Sequence, residues 1–170
     1  EEWINLDEPK FMNRRNENGH FVMQIVDHND GWTVTENNMA MISPANITGY
    51  LDWHRQYLLV VLKKLAMEKE NIILKLKGNN HFDLYLDGRI TGGFQLDEDH
   101  RIKRYYSYGN QGRMSILLIK DYREYKGYIF PLKLTIEGTL TEYETDYFDP
   151  SPLAAEKAFP ISFNPNDYMK

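Results

Sequence analysis

Tyr105, Tyr106, Tyr108, Asn110 and Gln111 crowd one short run of the chain. Aromatic rings and amides suit the recognition of sugars. The C–H faces of a sugar stack on the rings while amides and carboxylates take its hydroxyls. A mostly apolar surface fixed by a few polar groups is the general form of a ligand site. In an extended chain successive side chains alternate, so Tyr106 and Tyr108 share one face and Tyr105 takes the other. One face can then be core and the other ligand surface. Packing of all three rings within a sheet is the competing reading. With Trp32, which follows the turn residues Asp30-Gly31, the candidate contacts are Trp32, Tyr106, Tyr108, Asn110 and Gln111.

Other residues with chemical potential are weaker. Glu137, Glu142, Glu144 and Asp146 gather near the C-terminal third, and paired carboxylates can hydrolyse glycosides. On a strand, Glu142, Glu144 and Asp146 would share one face, which is how a solvated sheet edge looks. Ser107 and Ser115 lack the G-x-S-x-G context of a nucleophile elbow. Gly92-Gly93 follows a hairpin rather than opening a helix, so no phosphate loop is formed. Asp27-His28-Asn29-Asp30-Gly31 has oxygen ligands, but its glycine falls one position early for an EF-hand loop. A turn held by local Asn and Asp hydrogen bonds explains it. No cofactor is expected, a structural calcium being the one exception considered. The chain has no cysteine, which removes disulfides, thiolate metal sites and cysteine nucleophiles. The expectation is a non-catalytic chain, or an accessory part of a larger enzyme.

At 170 residues the chain is long enough for one domain with a real core. Its net charge of −5 argues against nucleic acid, whose binders need a basic surface to displace counterions. No stretch reaches 18 uninterrupted apolar residues, so membrane insertion through a helix is not expected. Asn46-Ile47-Thr48 is a glycosylation sequon, but such triplets arise often by chance. The compartment stays open, with an extracellular or cell-surface setting favoured.

The elements that must position the tyrosines read as strands. In 71–94, Ile72, Leu74 and Leu76 alternate with Ile73, Lys75 and Lys77. Gly78-Asn79-Asn80 makes a turn, and Phe82, Leu84 and Leu86 then alternate with Asp83, Tyr85 and Asp87. Asp87-Gly88 is a strong hairpin signal. Further strands are expected at 21–26, 32–35, 39–42, 104–108, 114–119 and 128–136, with Pro131 marking an edge or bulge. Residues 1–20 read as polar and Asn-rich, anchored by Trp3, Ile4 and Phe11. Residues 121–126 read as a charged connection. The apolar run Leu58-Leu59-Val60-Val61-Leu62 fits a buried strand or a buried helix. Its valines and strand-rich surroundings lead to a strand over 53–65, against the helix-forming residues that continue to Glu70. Many short strands with frequent turns predict a mainly β, antiparallel β-sandwich over 1–148. A Pro-rich irregular tail, 149–170, then packs on the domain or on a partner, with a turn of helix at 153–157.

Taken in order, Trp53-His54-Arg55, NIILKLKG, FDLYLDGRITGGF, YYSYGNQG, MSILLIKD and FPLKLTIEG resemble the galactose-binding-like jelly-roll modules attached to glycoside hydrolases. The resemblance spans about residues 50–138, with Asp87 where Asn is commoner. It implies a jelly-roll fold and a carbohydrate-recognition or accessory role. Asn5-Leu6 and Asp30-Gly31-Trp32-Thr33-Val34 are also similar to the sugar-recognising domain attached to F-box proteins, though its cysteines are absent. Trp53-His54-Arg55-Gln56-Tyr57 resembles the copper-ligand segment of tyrosinases. A dinuclear copper site there needs six imidazoles, and the chain has five histidines. Trp53 is then a core or rim aromatic and His54 a surface or capping residue. A protein–protein interaction or assembly domain, viral or cell-surface, with the tail as a docking arm, is the alternative to carbohydrate recognition.

Overall fold

Tight turns set the register of most strands in the computed structural model, which describes residues 2–17, 19–67, 71–109, 112–125 and 127–145. β3 (His20–Asp27) and β4 (Asp30–Thr35) pair with Asp27 opposite Asp30, and His28 takes the left-handed backbone (φ +55°) between them. The described residues gather into two compact units, one ending at Arg55 and the other beginning at Gln56.

The first unit holds a five-stranded antiparallel sheet in the order β1 (Glu2–Ile4), β2 (Lys10–Glu17), β3, β4, β5 (Met39–Met41). The short strand expected at 39–42 is present. β1 and β2 were not expected: β1 is only three residues long, and the residues of β2 are mostly polar. Among the described side chains of β2 only Phe11 is deeply buried, and the strand holds its place by pairing along its length with β3. On one face, Phe11, Val26, Ile42 and Ile47 form a core with Ile4, Tyr50 and Leu51. On the other, Met23, Ile25 and Val34 pack with Met12, Phe21, Trp32 and Met39.

α1 (Pro44–Arg55) covers the first of these faces. Ser43 stands just before it and accepts from the Asn46 amide (3.4 Å), and Pro44 suits the first helical turn, where its missing N–H costs nothing. Ile47 of α1 lies directly over Gly31 of β4, where any side chain would collide with the Ile47 δ-methyl. Near the end of α1, His54 is 4% exposed, and its Nε2 donates to the Asn5 carbonyl oxygen at 2.6 Å. His54 is therefore a buried tie to the chain after β1 and not a surface residue. The Trp53 ring remains partly exposed and meets Phe11 edge-on (5.6 Å).

The second unit begins with α2 (Leu58–Ala66), which with α1 replaces the strand expected over 53–65. The reason lies in the spacing. Leu58, Val61, Leu62 and Leu65 fall at i, i+3, i+4 and i+7, one face of a helix. That face packs on Ile72, Leu84, Phe94, Tyr105 and Leu134 of the sheet. Lys63 and Lys64 occupy the last turn, where cations complement the helix dipole.

Seven antiparallel strands follow in sequence order: β6 (Ile72–Gly78), β7 (His81–Leu86), β8 (Arg89–Leu96), β9 (Ile102–Tyr108), β10 (Met114–Tyr125), β11 (Tyr128–Ile136) and β12 (Glu142–Glu144). Each pairs with its neighbour in sequence. Asp87 (φ +50°) and Gly88 (φ +75°) both take the left-handed backbone of a two-residue hairpin between β7 and β8. β10 continues through 121–125 instead of breaking into a charged connection. It does so across a bulge, the register shifting on either side of Asp121 next to buried Pro131 of β11. The bulge accommodates a proline that cannot donate to the ladder. Mainly β structure in two antiparallel sheets is the class expected of a β-sandwich chain. Among the described residues no helix is long and apolar enough to cross a membrane. The expected tail, 149–170, lies outside the described residues.

Candidate functional site

A glycine makes the most unusual feature of the second unit possible. Gly93 of β8 stands opposite Asp83 on β7 and opposite Tyr106 on β9, so the three residues form one row across three strands. With no side chain at the centre, the Tyr106 ring lies down over Gly93. Its hydroxyl then donates to Asp83 Oδ1 at 2.6 Å. A Cβ on Gly93 would sit 2.5 Å from Tyr106 Cζ and collide with the Tyr106 hydroxyl and the Phe82 carbonyl oxygen.

The row extends into a network. His81 Nε2 lies 3.1 Å from the Tyr106 hydroxyl. Since that hydroxyl gives its one proton to Asp83, the His81 nitrogen donates to the tyrosine oxygen. The His81 ring meets Tyr106 edge-on, with centroids 5.6 Å apart. Lys77 Nζ stands 3.5 Å from Asp83 Oδ1 and supplies the countercharge. Asp83 and Tyr106 are each only 9% exposed, and a carboxylate so placed needs these partners. Burial, then the hydrogen bond to Asp83 and its charge, push the Tyr106 phenol well above its ordinary pKa. Tyr106 is therefore a neutral donor through the physiological range.

Partly exposed rings frame the network. Tyr108 meets Tyr106 edge-on at 6.0 Å, and Tyr85 lies under Lys75, whose Nζ is 4.4 Å from the ring centroid. Gln95 continues the same face, opposite His81 and Arg104. Arg104 holds Glu137 with both carboxylate oxygens at 2.7 Å.

The period-2 reading of the tyrosines is realised in the backbone. Tyr105 turns to the helix side, stacks on Phe94 (5.9 Å) and donates its hydroxyl to the Gln56 carbonyl. Tyr106 and Tyr108 turn to the opposite face. Trp32 belongs to the first unit, packed with Met23, Ile25 and Val34, and shares no sheet with the tyrosines. Asn110 and Gln111 lie outside the described residues. Sequence reasoning did not single out His81, Asp83 or Lys77. Alternation alone puts His81, Asp83 and Tyr85 on one face, but their approach to Tyr106 depends on the strand order and on Gly93.

The carboxylates considered earlier are dispersed. Glu137 is engaged by Arg104, and Glu144 of β12 stands 3.7 Å from Lys133. Glu142 and Glu144 are exposed on a terminal strand, and Asp146 lies outside the described residues. At the β3–β4 turn, Asp27 meets Lys10 (3.5 Å) and His28 Nδ1 (2.6 Å). Among the described residues no group of three acidic, His or Cys side chains is placed to hold a metal ion. Comparison of the chain with protein-family models, with curated proteins and with solved structures gives no match.

Proposed function

We propose that this chain is a non-catalytic carbohydrate-recognition or accessory module whose binding surface is the face of β6–β9 turned away from α2. The observation that supports this reading is the Asp83–Tyr106–His81 network, an oriented polar group set among partly exposed tyrosine rings. Tyr108 and Tyr85 offer faces for the C–H side of a sugar. Asp83 retains acceptor capacity beyond Tyr106 and Lys77, and Gln95 can both donate and accept, which hydroxyl groups require. Asn110 and Gln111, two and three residues after Tyr108 in sequence, lie outside the described residues. Tyr106 acts beneath the surface, holding Asp83 in place.

A glycan array with and without calcium tests the reading. Binding of one sugar class, competed by the free sugar, is expected. Tyr108→Ala should weaken that binding by about tenfold or more, the equivalent of about 1.4 kcal/mol, while leaving the fold intact. Absence of binding to every glycan in both conditions would sink the proposal. Undiminished binding by Tyr108→Ala would remove this face from it.

A further inference from the structure

β6 is the terminal strand of its sheet and carries apolar side chains in the open. Ile73 is 48% exposed, Leu74 38% and Leu76 69%. Among the described residues only β7 pairs with it. Terminal strands usually carry lysines that reach over the free edge and discourage pairing. Here both lysines lean the other way, Lys75 onto the Tyr85 ring and Lys77 onto Asp83. The edge is left unguarded.

The β6–β7 ladder fixes which residues of that edge face outward. Asp87 donates its amide to the Asn71 carbonyl (2.9 Å), so residues 71 and 87 form a bonded pair of the β6–β7 ladder. Bonded pairs alternate along an antiparallel ladder. Ile73 and Lys75 therefore face β7 with their main-chain groups, while Ile72, Leu74 and Leu76 present N–H and C=O outward. A second copy of β6 brought up antiparallel by a two-fold axis normal to the sheet must pair these outward residues with one another. Centring on Leu74 puts Leu74 opposite Leu74 and Ile72 opposite Leu76, satisfying all the outward groups. In that register Lys75 faces Ile73 and Lys77 faces Asn71. Centring on Lys75 would instead set two lysines opposite one another, a like-charge pair that disfavours that register.

We propose that β6 is a self-association edge, joining two copies of the chain antiparallel with Leu74 on the two-fold axis. The proposal is independent of the sugar surface, since it uses the rim of the sheet and not its face. A single strand pair is a small interface beside the roughly 1,200 Å² at the lower end of specific complexes. The dimer is accordingly concentration-dependent.

The chain has no cysteine, so one introduced thiol reports the register cleanly. In the Leu74-centred pair the two 74 Cα atoms lie about 5.5 Å apart, within disulfide range. Sedimentation of the unaltered chain should show monomer passing to dimer as concentration rises. Mild oxidation should link Leu74→Cys into a disulfide dimer, and should leave Ile73→Cys and the fully exposed Leu140→Cys monomeric. Leu74→Lys, which sets two ammonium groups on the axis, should abolish the dimer at low salt and regain part of it at high salt. A chain that remains monomeric at every soluble concentration overturns the proposal. So does cross-linking of Leu140→Cys as fast as Leu74→Cys, or a dimer that Leu74→Lys leaves unchanged.

Discussion

Gly93→Ala should be among the most damaging single-methyl substitutions in the second unit. The new Cβ would lie 2.5 Å from Tyr106 Cζ and closer still to the Tyr106 hydroxyl and the Phe82 carbonyl oxygen. Ordinary carbon contacts need about 3.5–4.0 Å, so the ring must withdraw by about 1 Å or more. The Phe82 carbonyl belongs to the β7–β8 ladder and has little freedom to move. Withdrawal breaks the 2.6 Å bond to Asp83. Overpacking costs about 1–3 kcal/mol, and loss of a hydrogen bond to a charged group about 1.5–3 kcal/mol. Together they predict about 2.5–6 kcal/mol, and, at about 2–4 °C per kcal/mol for a chain of this size, a fall in Tm on the order of 10 °C. Chemical and thermal denaturation followed by circular dichroism measure it. Gly78→Ala is the control, since nothing lies within 4 Å of its would-be Cβ. Tyr106→Phe removes one of the colliding atoms, so the double variant should lose clearly less than the sum of the singles. A Gly93→Ala chain within about 0.5 kcal/mol of the parent, the ordinary scatter of surface substitutions, would refute the described seating of Tyr106. Strict additivity of the pair would do the same.

Two further outcomes follow from the same physics. Burial raises the phenol pKa of Tyr105, Tyr106 and Tyr122, the last pushed up to about 12. The unfolded chain releases these protons near the ordinary value of 10.0, while the folded chain keeps them. Below about pH 10 their contribution is fully present, and it is lost as pH rises through the folded values. The urea midpoint should hold steady up to that point and then fall steeply, and Tyr122→Phe should soften the fall. A midpoint insensitive to alkali contradicts the burial of these rings. Gly88→Ala, at φ +75° with open space around it, should cost about 1 kcal/mol from backbone strain alone, read from the same denaturation curves.

The strands and hairpins of the second unit were legible where alternation and turn chemistry agree. Asp87-Gly88 and Gly78-Asn79-Asn80 mark turns because few other residues accept positive φ, and Asn80 does so at +55°. The division of Tyr105 from Tyr106 and Tyr108 followed from the period of a strand. α2 was misread because five consecutive apolar residues mask the helical spacing of Leu58, Val61, Leu62 and Leu65. For α1 the signal was present in Ser43-Pro44, a good helix start, yet Thr48 and Gly49 are poor helix formers. β2 was missed because a polar strand owes its place to pairing, and pairing is not local. The same holds for the site. Tyr106 and Asp83 are far apart in sequence, and only a bare backbone at Gly93 between them lets the two side chains meet.

The order of the strands has a consequence for how the protein is made. Every strand of each sheet pairs with the strand just before or after it, so each ladder closes across a short stretch of chain. Topologies of this kind have little loop entropy to overcome and fold quickly for β structure. A chain emerging from the ribosome can therefore add one hairpin at a time. The last described strand of the first sheet ends at Met41, and α1, which covers one of its faces, ends at Arg55 before any residue of the second unit has been synthesised. Synthesis in this direction presents few strand edges that must wait for a distant partner. Among the described residues β6, the first strand of the second sheet to emerge, has a paired neighbour on one side only even after that sheet is finished.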